Sequence, residues 1–227
     1  MKRLRKIYLE ISNVCNLHCT FCPGTRREKR FMTVDEFATL LPKLRPWTDY
    51  LYFHLMGEPL CHPELAEFLR LAGEAGFKVI LTTNGTLLEE KREILLNAPG
   101  LHKVNISLHA FEANDPSVPF ETYLSRCFSF GQAAEGNFLV VYRLWNGGGA
   151  EQRNPEILSA MEPLRRQGVQ LAVFPELCLT GYTLGDLLLQ PLVQAASWES
   201  MLRIAEKTDS SMAVVIGLPV NVRSRLY

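Results

Sequence analysis

The feature that most constrains this 227-residue chain is its alternation between two hydrophobic periods. Short runs rich in β-branched and aromatic residues fall at 7–11, 50–55, 78–83, 103–108, 137–144, 170–174 and 212–218. Between them lie helical patterns at 33–44, 63–75, 87–95, 120–134, 155–167 and 195–208. Period-2 strands interleaved with amphipathic helices make βαβ units, and right-handed crossovers then give a mainly parallel sheet. Local signals agree with that reading. Thr33 and Glu36 have the spacing of a capping box, and Pro63 suits the first turn of the helix it opens. Asn146-Gly147-Gly148-Gly149 marks a loop near the edge of a module. In such folds the chemistry gathers in the loops at the carboxyl ends of the strands.

Composition narrows the functional classes. Lysine plus arginine number 24 and aspartate plus glutamate 24, so the chain lacks the positive surplus of a general nucleic-acid binder. The longest apolar runs fall short of the roughly 18 residues that cross a bilayer. The basic start at residues 1–6 is not followed by an apolar run of secretory length, so no signal peptide is expected. A cytoplasmic protein with no nucleic-acid and no membrane partner is the expectation. Three of the six cysteines fall within eight residues, at Cys15, Cys19 and Cys22; Cys61, Cys127 and Cys178 stand singly. Clustered thiols in a reducing compartment hold metal more often than each other, while single ones behave as small buried apolar groups.

The cluster Cys15-Asn16-Leu17-His18-Cys19-Thr20-Phe21-Cys22 follows the first strand directly. Its spacing lets one loop wrap three thiolates around a compact inorganic centre. A structural zinc ion would need a fourth ligand, which His18, Cys61 or His62 could supply. An iron–sulfur cluster held by three cysteines leaves one iron open to a small molecule. Spacing leaves both open.

Cys15, Cys19 and Cys22, with aromatic Phe21, resemble the CxxxCxΦC signature of radical S-adenosylmethionine enzymes. Met56-Gly57-Glu58-Pro59 resembles the family's GGEP motif, with Met56 in place of the first glycine. Thr83-Asn84-Gly85 and Ser107 follow in the family's order, at the ends of the third and fourth strands. The resemblance covers about residues 4–160. It implies a partial (β/α) barrel and a [4Fe–4S] cluster on Cys15, Cys19 and Cys22, whose fourth iron takes the amino and carboxylate groups of S-adenosylmethionine. It also implies one-electron cleavage of the sulfonium to a 5′-deoxyadenosyl radical, which abstracts hydrogen from a substrate that the motifs do not identify, small molecule or peptide. The cofactor-binding positions implied are Phe21 near the adenine, Gly57, Glu58 and Pro59 at the amino group, Asn84, Ser107 at the carboxylate or ribose, and Arg143 as a fork for the carboxylate. A one-electron donor such as flavodoxin or ferredoxin is the implied partner. Arg26, Arg27, Lys29 and Arg30 beside the cluster would favour an acidic donor or an anionic substrate.

From about residue 161 the resemblance changes. The stretch 168–183, with Phe174-Pro175-Glu176 and Cys178, resembles the nitrilase-like glutaminase domain of glutamine-dependent NAD synthetases, and residues 185–187 and 214–219 continue it. Glu176 would be the glutamate of a Glu–Lys–Cys triad whose other members lie beyond this sequence, so amidase activity is not expected from this segment alone. The whole reads as α/β: residues 1–160 as a partial barrel, and 161–227 as an appended α/β fragment, joined as in a fusion or chimera. The strand at 171–174 has the period and length to serve as the barrel's sixth. Two alternatives accompany the main reading: a glutaminase fragment and a nonenzymatic zinc-binding protein.

Overall fold

In the computed structural model the described residues are 3–19, 22–112, 118–143, 171–173, 190–206, 213–215, 221–222 and 225–226. The chain divides into two units, Met1–Val141 and Tyr142–Tyr227, with the division falling inside a strand.

The first unit is built on a sheet with strand order β1-β2-β3-β4-β5, each strand beside its sequence neighbour. The strands are β1 Ile7–Tyr8, β2 Tyr50–Phe53, β3 Lys78–Thr83, β4 Leu101–Ser107 and β5 Leu139–Arg143. β1 through β4 pair in parallel, with Ile7 opposite Leu51, Leu51 opposite Val79, and Leu81 opposite Val104. Strands 1 and 5 do not pair, so the sheet is an open arc rather than a closed barrel. Helices α1 Val34–Leu44, α2 Leu65–Glu74, α3 Arg92–Leu96, α4 His109–Glu112 and α5 Phe120–Ala133 fall between the strands.

The two faces of the sheet differ. In β2, Leu51 and Phe53 are fully buried, while Tyr50 and Tyr52, turned the other way by the pleat, are half-buried. Phe53 meets Phe37 of α1 edge-on at 5.5 Å, and Phe37 stacks on Phe68 of α2 at 4.3 Å. These three rings, all excluded from water, anchor the helical layer; each contributes about 2–3 kcal/mol of burial. The opposite face carries Tyr8, Tyr52 and His54 in ring contact at 5.0–6.1 Å.

Several expected boundaries shift for local reasons. The first strand stops at Tyr8 rather than 11 because the chain leaves β2. Ile11 accepts from Met32 N–H at 2.8 Å, and Ser12 bridges Phe31 in antiparallel sense. Helix α2 begins at Leu65, not 63, because a 3₁₀ turn at Pro59–Cys61 precedes it. The pattern at 87–95 yields helix only over Arg92–Leu96, and the four-residue α4 has no counterpart among the helical patterns of the sequence. The capping box forms as expected: Glu36 N–H donates to Thr33 Oγ1 at 3.2 Å, and Thr33 N–H donates back to Glu36.

In the second unit, β6 Leu171–Val173 pairs in parallel with β7 Ala213–Val215. A β8–β9 hairpin joins Asn221–Val222 to Arg225–Leu226, and α6 spans Pro191–Ala205. The expectation that the 171–174 strand continues the main sheet is therefore corrected: it finds its partner in a separate two-stranded sheet with β7. The helical pattern at 155–167 and the glycine loop at 146–149 lie outside the described residues. No described helix is long and apolar enough to cross a membrane.

Candidate functional site

The carboxyl ends of β1–β4 surround a cavity of about 570 Å³. Cys15, Cys19 and Cys22 border it from the loop after β1, Gly57 and Glu58 from the loop after β2, Asn84 from the end of β3, and Ser107 from β4. The three thiols and four of the expected cofactor positions thus share one space. Pro59 is buried behind it at the first position of the 3₁₀ turn, where its fixed φ and missing N–H cost nothing. Arg143 ends β5, half-buried, and is not among the described lining residues. Phe21, Glu176 and Cys178 lie outside the described residues.

Two glycines allow the loops to come together. Gly57 has φ +79°, and a Cβ there would fall 2.6 Å from Ser12 O and 2.8 Å from Val14 O. That close approach lets Glu58 N–H donate to Val14 O at 2.8 Å, tying the loop after β2 to the segment entering the cysteine loop. Gly85, also at φ +79°, lies against α5, where a Cβ would meet Tyr123 Oη at 2.9 Å.

Glu58 is almost completely buried. One carboxylate oxygen accepts from Leu60 N–H at 3.0 Å and the other from Asn84 N–H at 2.7 Å. Burial pushes its carboxyl up to about 7, against the pull of those two donors and the Thr83 hydroxyl. A carboxylate held this way is costly to ionise until a cation lies beside it.

The thiols are less enclosed. Cys15 and Cys19 are half-buried and Cys22 is exposed. Leu17 N–H donates to Cys15 Sγ at 3.4 Å and Gly24 N–H to Cys22 Sγ at 3.4 Å, while Cys19 Sγ donates to Ala110 O at 3.9 Å. Burial raises the Cys15 thiol; the Leu17 N–H opposes this, and negative charge on Glu58, Cys19 and Cys22 adds to it. Among the described residues, no three His, Cys, Asp or Glu side chains converge tightly enough to hold one metal ion. A single zinc requires four ligands at about 2.0–2.3 Å. An iron–sulfur cluster instead places each thiolate on a different iron, around a core several ångströms wide. Three thiols standing around one cavity fit the cluster better than the single ion.

Of the three fourth ligands considered for zinc, two are placed otherwise. His62 is buried between Phe31 and Phe68, with Nε2 at 3.0 Å from Met32 O and Nδ1 accepting from Glu64 N–H at 3.1 Å. Both nitrogens are occupied, and burial lowers its basicity. Cys61 does not line the cavity; burial, with negative charge on Glu58 and Cys15, lifts its thiol to about 11. His18 does line it. In the basic run, Arg27 pairs with Glu10 and Arg30 with Glu36, and Lys29 lines the cavity.

Asn13 and Thr82 line the cavity with no motif to mark them, and so do His54 and His109, which the sequence reads as packed or hydrogen-bonded histidines in or beside strands rather than ligands. Their common signal is position, at or just beyond the carboxyl end of a strand. Asn13 is buried and braces the loop, donating to Glu28 O at 2.9 Å and accepting from Arg30 N–H at 2.8 Å.

A family model described as the Radical SAM superfamily matches residues 9–127, just over half of the chain and the part that carries every wall of this cavity. The chain belongs to the radical SAM superfamily. The radical SAM superfamily uses a [4Fe–4S] cluster and S-adenosylmethionine, and its members similar to this chain are enzymes. One is an AdoMet-dependent heme synthase of Methanosarcina barkeri, 30% identical over 112 residues, 48% of this chain and 32% of that protein. Another is a GTP 3′,8-cyclase of Microcystis aeruginosa, 35% identical over 116 residues, 46% of this chain and 35% of that protein. The matches span about a third of the length of these relatives. Among solved structures, Streptococcus suis SuiB bound to S-adenosylmethionine superposes with TM-score 0.66 at 17% identity, covering 97% of this chain and 51% of SuiB. Methylornithine synthase (PylB) superposes with TM-score 0.55 at 13% identity, covering 98% of this chain and 74% of that one. These likenesses show a shared fold.

Proposed function

We propose that the cavity at the carboxyl ends of β1–β4 is the site where this radical SAM chain binds a [4Fe–4S] cluster and S-adenosylmethionine, and that it abstracts hydrogen from a substrate of a kind still to be found. The observation that carries the proposal is the convergence of Cys15, Cys19, Cys22, Glu58 and Ser107 on one space from three separate segments: the loops after β1 and β2, and the end of β4. The cluster and S-adenosylmethionine would together supply a one-electron cleavage of the sulfonium and a hydrogen-abstracting radical. The chain's part is binding, orientation and exclusion of water. Cys15, Cys19 and Cys22 would hold the cluster. Glu58 would face the positive amino group of the bound molecule, which would draw its raised carboxyl back into the ionised form. Ser107 would donate to the carboxylate or ribose. Lys29, at the cavity, supports an anionic substrate or an acidic one-electron donor such as flavodoxin or ferredoxin.

The zinc-binding alternative finds no group of three side chains set to hold one ion among the described residues, and the glutaminase alternative at Glu176 draws on motif alone. Anaerobic reconstitution with iron and sulfide tests the proposal. The expected result is a cluster absorbance and an electron paramagnetic resonance signal that changes when S-adenosylmethionine is added. Tight binding of one zinc, with no cluster spectrum, would overturn it.

A further inference from the structure

Asn16 sits between two cavity-lining residues, Cys15 and Leu17, yet does not line the cavity itself. Its side chain goes elsewhere. Asn84 Nδ2 donates to Asn16 Oδ1 at 2.9 Å, Asn16 Nδ2 donates to Thr86 Oγ1 at 2.9 Å, and Thr86 Oγ1 donates to Asn84 Oδ1 at 2.7 Å. The three bonds form a closed ring in which each group both gives and receives, the arrangement in which hydrogen bonds polarise one another. Thr86 N–H adds a second donor to Asn84 Oδ1 at 3.0 Å. On its other side, the Asn16 backbone N–H lies against the Cys61 sulfur.

The ring is anchored from behind. Asn84 N–H donates to Glu58 at 2.7 Å, and the buried Tyr123 hydroxyl of α5 donates to Asn84 O at 2.7 Å. Nearly every polar group of Asn84 is thus committed to the protein, which leaves little of it for a bound molecule.

We infer that Asn16, Asn84 and Thr86 are positioning residues: a side-chain clasp that fixes the first thiol, Cys15, against the end of β3. The inference deepens the cluster-binding reading of the same site and rests on it for its purpose. It reassigns Asn84 from a cofactor contact to a brace of the cysteine loop.

The test uses the full chain without iron. Brief iodoacetamide labelling under anaerobic conditions, mapped by mass spectrometry, gives the rate at Cys15 relative to exposed Cys22. Asn16→Ala, Asn84→Ala and Thr86→Val should each raise that ratio by roughly fivefold, the scale of one net hydrogen bond. Thr86→Ser should restore it, and the Asn16→Ala/Asn84→Ala double variant should exceed neither single one by more than a small factor, because both break the same bond. After reconstitution, release of iron to a chelator should accelerate in the same order. Should Asn84→Ala fail to fold, Asn16→Ala and Thr86→Val decide the matter from the outer side of the ring. An unchanged ratio in those two variants, or effects that multiply in the double variant, would overturn the clasp. Failure of the parent chain to take up iron would instead sink the cluster reading, with the labelling ratios still deciding the clasp.

Discussion

The two walls of the cavity are built on different terms. In the wall formed by the loop after β2 and the end of β3, the polar side chains Glu58 and Asn84 are buried and satisfied by the protein: Glu58 accepts from the Leu60 and Asn84 N–H groups, and Asn84 O accepts from Tyr123. The wall carrying the thiols is half-exposed, and its sulfurs make bonds of 3.4–3.9 Å, with sulfur weak as donor and acceptor. Folding alone completes the first wall. The second is the wall proposed to hold the cluster, and its final order would then be coupled to metal binding.

That contrast can be broken by substitution. Replacing Cys15, Cys19 or Cys22 by alanine should abolish cluster uptake, measured as iron and sulfide per chain, while urea denaturation of the unloaded protein changes little. Gly57→Ala should do the reverse: strain at φ +79° and collision with the Ser12 and Val14 carbonyls should cost about 3 kcal/mol or more in the same denaturation. Glu58→Ala leaves two buried N–H donors without their acceptor and should cost about 2–3 kcal/mol; a cost near zero would show that the inner wall does not depend on it.

A pH titration sharpens the same distinction. Because the Glu58 carboxyl is raised from 4.5 to about 7, the folded chain keeps a proton that the unfolded chain has released. Its contribution therefore weakens as pH rises from about 4.5 to 7 and is constant above that, a loss of at most about 3 kcal/mol. Glu58→Gln should remove that slope. S-adenosylmethionine should bind with release of a proton below pH 7, read by calorimetry in two buffers of different ionisation enthalpy. At the small end, Thr33→Ala, at a cap away from both walls, should cost about 1 kcal/mol and leave iron uptake untouched.

Much of the inner architecture was legible because its signals are local. The capping box at Thr33 and Glu36, the glycine of the loop after β2 and the thiol spacing all act within a few residues of themselves. What escaped depends on distant partners. His62 looks like a candidate ligand in sequence, but Phe31, Met32 and Phe68 enclose it. The strand at 171–174 has the right period for the main sheet, yet period does not choose a partner, and Ala213–Val215 takes it.

Neighbouring residues were enough to set the alternation of strands and helices and the crowding of thiols in the loop after the first strand, since periodicity and spacing are local properties. Tertiary structure alone decided which side chains face the cavity and which brace it. Asn16 and Asn84 stand 68 positions apart, and only the pairing of parallel strands brings two such amides within a hydrogen bond.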